Sequence, residues 1–175
     1  QASVQAAAMK ELFPEAKTIG LLYCSAEPNS EYQVTEMEPE LQALGYTTAR
    51  YKFSESTELA GIVGRAVAEC DALYIPTDNT AASNAETIYG AMGDNKKPIF
   101  AGEKGICSGC GVATLSIDYY TLGYETGKMA AEILRGEAKI SEMAIRYDTN
   151  PKKQYNERIC RDLGFTVPDG YEKLD

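Results

Sequence analysis

An α/β fold with a mainly parallel sheet and helices on both faces is what this sequence predicts, and three observations carry the prediction. Short apolar runs alternate with amphipathic stretches from end to end. The first run, Thr18 to Tyr23 (Thr-Ile-Gly-Leu-Leu-Tyr), is apolar along nearly its whole length, as a strand buried on both faces must be. The chain has 175 residues, enough for one substantial core and short of what two full domains need.

The elements follow in order. Ala6 to Leu12 reads as a helix ended by Pro14, before the strand Thr18 to Tyr23. Asn29 to Leu44 is an amphipathic helix whose Val34, Met37, Leu41 and Leu44 share one face. Ser30 with Gln33 fits a capping box at its start, and Gly45 fits its stop. Pro39 lies roughly opposite the apolar face, where its kink is tolerated. Thr47 to Phe53 alternates and so reads as a strand near a sheet edge. Thr57 to Cys70 is a helix, Ala72 to Pro76 a strand, Thr80 to Met92 a helix and Pro98 to Ala101 a strand. Ala113 to Ile117 is a fifth strand, Tyr120 to Leu134 a long helix and Met143 to Tyr147 a last strand. Pro151 to Leu163 reads as a closing helix with proline in its first turn. Strands alternating with helices imply right-handed crossovers and a parallel sheet.

Composition narrows the function classes. With 26 acidic and 17 basic residues the formal net charge is −9. A surface of that sign repels phosphate backbones, so nucleic acid is not an expected partner. There is no histidine, which removes the usual general base and the commonest metal ligand. No run approaches the roughly 20 apolar residues that cross a bilayer. Gln1 opens the chain without a methionine, which reads as a processed or cut start.

Five cysteines (Cys24, Cys70, Cys107, Cys110, Cys160) make an odd count, against a fully paired framework. Cys107-Ser108-Gly109-Cys110 is a C-x-x-C, but no second pair or histidine completes a zinc site. It lies in the glycine-rich stretch Gly105 to Gly111, so a structural loop, reduced or locally bridged, is expected. No metal and no cofactor is expected. The sequence has no phosphate-cradling glycine loop, no dinucleotide fingerprint and no nucleophile elbow. An enzyme is not expected.

In a parallel sheet, ligands bind beyond the carboxyl ends of the strands. Those ends carry Cys24 to Ser30, Thr77 to Thr80, Gly102 to Lys104, and Asp118 to Tyr120. Hydroxyls, amides and carboxylates dominate, which suits a small polar molecule. A helix start at Ser30 or at Asn79-Thr80 would attract a ligand carboxylate. Asp78, Glu103 and Asp118 could meet an ammonium, and Tyr119 or Tyr120 could cover an apolar part. An amino acid carries both charges. Each residue also has a plainer role: Ser30 and Asn79 suit N-caps, Asp78 suits a turn, and Glu103 and Lys104 suit a solvated loop.

Ile75-Pro76-Thr77-Asp78-Asn79-Thr80 and Ser116-Ile117-Asp118-Tyr119-Tyr120-Thr121-Leu122-Gly123 resemble a family of ABC-transporter substrate-binding proteins. The stretches Ala16 to Tyr23, Glu27-Pro28-Asn29-Ser30 and Gly127 to Gly136 match it too. The resemblance implies a flavodoxin-like lobe of the type I periplasmic-binding fold. It also implies hinge-bending capture of a ligand, an amino acid and in some members tryptophan or tyrosine, between two lobes. Implied partners are permease and ATPase subunits, and the implied location is extracytoplasmic, periplasmic or lipid-anchored. The positions it implies as cleft-lining are Ser25, Asn29, Ser30, Thr77, Asp78, Asn79, Glu103 and Asp118, with Tyr119 beside them. On this reading residues 1–175 form one ligand-binding lobe. Its core is 16–112, a crossover segment 113–140 packs on the missing N-terminal lobe, and 141–175 returns with a strand and helix. The 120–135 helix would then fold back on this domain or swap between copies in a dimer. The Cys107–Cys110 stretch and Cys24 depart from the family pattern. Two rivals share the architecture: a ligand-sensing regulatory domain, and a flavodoxin-like enzyme acting through Cys, Asp or Glu.

Overall fold

A computed structural model describes residues 1–116 and 151–175. The chain divides into two compact units, 1–115 with 153–175, and 116–152. The expected 120–135 helix and the strand at 143–147 lie outside the described residues, as do Asp118 and Tyr119.

In chain order the first unit runs α1 (Ala2–Leu12), β1 (Thr18–Cys24), α2 (Pro28–Ala43), β2 (Thr47–Phe53) and a 3-10 turn (Ser56–Glu58). Next come α3 (Leu59–Glu69), β3 (Ala72–Ile75), α4 (Asn79–Ser83), α5 (Ala85–Ala91), β4 (Ile99–Ala101) and α6 (Lys104–Cys110). β5 (Ala113–Ser116), β6 (Lys152–Tyr155), α7 (Glu157–Leu163) and β7 (Glu172–Lys173) complete the described elements. The sheet order is β2-β1-β3-β4-β5-β6-β7, with β2 at the edge as its alternation predicts. Pairing is parallel for β1 with β2 and β3, β4 with β3 and β5, and β6 with β7.

Both faces are covered because strand side chains alternate. Ile19, Leu21 and Tyr23 of β1 and Tyr74 of β3 join Met9 and Leu12 of α1 and Val34, Met37 and Leu41 of α2. Leu22 and Cys24 of β1 and Leu73 and Ile75 of β3 point the other way, to Val63 and Val67 of α3, Ile88 of α5 and Ile106 of α6. Burying both sides turns a strand into a near-continuous apolar run. Gly45 has φ +96 and stops α2 as expected. Leu44, expected on the buried face of α2, is instead 37% exposed, because the helix has already ended at Ala43.

Three expectations are corrected. The Thr80–Met92 helix is two shorter helices, broken at Asn84. The C-x-x-C is not in a loop: Cys107 and Cys110 lie on α6, one turn apart and fully buried. Gly109 makes that helix possible, because a Cβ there would run into Ala85 of α5, so glycine lets two helices meet closely. The closing helix begins at Glu157, not Pro151, and the residues before it form β6. Asn156 is the N-cap, its Oδ1 accepting the Ile159 amide at 3.1 Å. Its Nδ2 donates to the carbonyls of Cys107 (2.9 Å) and Ser108 (3.1 Å), which ties α7 to the end of α6.

All five cysteines are free thiols and buried. Burial pushes the Cys107 thiol up, with further help from Cys110 and Cys160 nearby. Burial also pushes Cys110 up to about 12 and Cys160 to about 11. These thiols are packing groups and not nucleophiles.

Candidate functional site

The strand order reverses between β1 and β3: the chain leaves β1 toward β2 on one side and returns to β3 on the other. The loops leaving β1 and β3 therefore part, and a crevice opens at the carboxyl ends of the two strands. Here that crevice is laced by side chains.

Asp78, just past β3, is 1% exposed. Its carboxylate accepts the Ala81 amide at 2.8 Å as the N-cap of α4, and the Cys24 amide at 2.8 Å from the end of β1. The Ser30 hydroxyl donates to the Thr77 carbonyl at 3.1 Å, and the Thr77 amide donates to Gln33 Oε1 at 3.0 Å. Glu27 accepts the Asn79 amide at 3.0 Å through one oxygen and the Thr80 amide at 2.9 Å through the other. Glu27 can do this because its side chain makes no cap bond to its own helix, which opens with Pro28 instead. On the β4 side, the Gly102 amide donates to the Ile75 carbonyl at 2.7 Å, and the Thr77 hydroxyl meets the Gly102 carbonyl at 3.5 Å. The Ser25 hydroxyl reaches the Phe53 carbonyl at 3.3 Å.

The three strand exits are thus gathered on one rim. Ser25, Thr77 and Glu103 are half-buried there, Asn29 and Asn79 are exposed, and Ser30 and Asp78 are buried with their polar atoms engaged internally. Three readings of local structure change. Ser30 and Gln33 form no capping box, since both bond to Thr77. The N-cap of α4 is Asp78, not Asn79. The Asn79 and Thr80 amides, expected to be open to a ligand carboxylate, are taken by Glu27. A cavity of about 310 Å³ lies elsewhere, between α1 and the β5–β6 region, lined by Val4, Ala7, Leu115 and Lys153 among others.

Against known proteins, the model of the ABC transporter substrate binding protein family matches residues 2–174. This chain belongs to that family. A tyrosine-binding protein of Clostridioides difficile is 35% identical over 130 residues, covering 74% of this chain and 38% of the relative. An ABC domain from Streptococcus pneumonia, solved in complex with L-Trp, is 32% identical with a TM-score of 0.77. The match covers 99% of this chain and 62% of that one. A ligand-free, open substrate-binding protein with adhesive properties from Clostridium difficile is 31% identical with a TM-score of 0.87. That match covers 98% of this chain and 58% of the other. The chain therefore spans less than two thirds of the length of each of these relatives.

In this substrate-binding family member the rim is acidic. Burial would push the Glu27 carboxyl up, but hydrogen bonds from Asp78 and from Thr80 and Asn79 outweigh it and hold Glu27 at about 2. Asp78 moves the other way: burial raises it, and the Glu27 carboxylate adds to that against the bonds from Cys24 and Ala81. Glu103 is raised by burial and then by the charges of Asp78 and Glu27. Among the described residues no lysine or arginine forms an ion pair with any of the three.

Glu27 and Gln33 were not among the candidates that sequence reasoning selected. Glu27 follows the first strand directly, and position alone could have flagged it. No local signal separates Gln33 from an ordinary helix residue, because its partner is 44 positions away.

Proposed function

We propose that this chain supplies one wall of the interlobe cleft of an ABC importer's solute-binding protein, and that the solute is an amino acid, aromatic ones favoured. The observation that carries the reading is the gathering of the β1, β3 and β4 exits on one rim at the strand-order reversal. On that rim Ser25, Asn29, Thr77 and Asn79 offer neutral donors and acceptors. Glu103 offers a carboxylate with no hydrogen bond or ion pair among the described residues, suited to an ammonium. Ser30 and Asp78 hold the wall from behind. Asp118 and Tyr119 complete the proposed set from outside the described residues. The tyrosine-binding relative and the L-Trp-bound one support the ligand class. Capture would occur on the extracytoplasmic side, in a lipid-anchored or periplasmic protein, with delivery to permease and ATPase subunits.

The test is thermal unfolding and calorimetry of the full-length protein against all common L-amino acids. Ligand at about 100 times Kd adds about 2.7 kcal/mol of stability, a readily measured shift. Tyrosine or tryptophan should give the largest shift. No shift with any amino acid would refute the ligand class.

A further inference from the structure

We infer that Glu27 is a positioning residue of the ligand site, whose carboxylate clamps the Asn79–Thr80 backbone so that Asn79 is held ready for the ligand. The inference rests on the reading of this rim as a ligand wall.

The structure supplies the reason. α4 has 5 residues, too few to be stable by its own hydrogen bonds. Within it the carboxylate of its own cap, Asp78, serves only the Ala81 amide, and the Asp78 carbonyl takes that of Ala82. The Asn79 and Thr80 amides come before those bonds and are secured from outside, by Glu27. Glu27 in turn stands at the head of the 16-residue α2, which Val34, Met37 and Leu41 anchor in the core. The contact therefore runs from a rigid element to a weak one. It needs a carboxylate: two oxygens meet two amides, and charge strengthens both bonds. Glutamine could satisfy one amide but would turn its NH2 toward the other, donor against donor. Among the described residues the charged and titratable groups facing Glu27 are Asp78 and Glu103, both acids. Among the described residues no cation neutralises Glu27, and Asp78 together with the two amides supports its charge.

Glu27→Gln and Glu27→Ala are compared with the wild type in the full-length protein. Three quantities are measured: amide hydrogen exchange at Asn79 and Thr80, affinity for L-tyrosine and L-tryptophan by calorimetry, and the titration of Glu103 by carboxyl NMR. Exchange at the two amides should quicken and affinity should fall by about tenfold or more, while β1 and β3 amides keep their protection. The Glu103 midpoint should drop in both variants, because each removes one neighbouring negative charge. Unchanged exchange at Asn79 and Thr80 would overturn the clamp. Faster exchange with unchanged affinity would overturn its role toward the ligand. A wild type that binds no amino acid would instead bring down the functional reading, and the positioning role with it. The two failures are told apart by whether the wild type or only the comparison fails.

Discussion

Gly102→Ala is the sharpest probe of the rim. Gly102 does not need a left-handed φ; it needs room. A Cβ there would stand 2.8 Å from the Thr77 nitrogen, 2.9 Å from the Pro76 carbonyl carbon and 3.1 Å from the Ile75 oxygen. Every one of those atoms is backbone, so no side chain can swing aside. The turn after β3 must move by several tenths of an ångström, and it is tied to β1 by the Asp78–Cys24 bond and to α2 by the Ser30–Thr77 and Gln33–Thr77 bonds. Overpacking of this kind costs about 2–3 kcal/mol where the surroundings cannot yield. At this chain length that lowers Tm by roughly 4–12 °C. The 2.7 Å bond from Gly102 to Ile75 should lengthen, and its amide should exchange faster in the variant. Urea unfolding and hydrogen exchange measure both. A variant within about 0.5 kcal/mol of the wild type, with Gly102 and Thr77 amides equally protected, would refute the close approach of the β3 and β4 exits.

Asn156→Ala removes the cap on Ile159 and two donations to α6 carbonyls at once, and should cost about 2 kcal/mol by urea unfolding. Asn156→Asp keeps the cap acceptor, loses the donors, and should fall between; equal losses in the two variants would contradict the dual role. Disulfide-exchange titration of the folded protein near about pH 8 should find no fast thiol, and five after unfolding. A fast-reacting native thiol would show that the cysteines are not sealed in the core. Asp71 accepts the Lys17 amide at 2.8 Å and the Thr18 amide at 3.0 Å, which hold its carboxyl below the usual 3.8. Its stabilising contribution is therefore full above 3.8 and lost as pH falls below it. The urea midpoint of Asp71→Asn should lie below that of the wild type at neutral pH, and the gap should close in acid. A gap independent of pH would count against an ionised Asp71.

Burial is what made the fold legible in the chain. A strand covered on both faces must be apolar throughout, and Thr18–Cys24 and Ala72–Ile75 announce themselves that way. A strand at the sheet edge alternates, and Thr47–Phe53 does. Gathering polar residues at strand ends follows from the same pattern, so most of the rim could be named before its geometry was known. β6 was misread because Lys152-Lys153-Gln154-Tyr155 carries no apolar run, and Pro151 mimics a helix start. α6 was misread because its two glycines suggest a loop, whereas Gly109 serves a close approach to α5.

Alternation of apolar runs, turn residues and helix stops is local information, carried by neighbours a few positions apart, and it was enough for the α/β class and the strand-end location of the candidate site. Which rim residues remain exposed to a partner is long-range information. Ser30 and Asp78 turn inward and Glu27 crosses to α4 because contacts between residues some 50 positions apart satisfy their polar atoms. Hydrogen bonds between distant segments leave no period in the chain, so those assignments emerge only when packing brings the segments together.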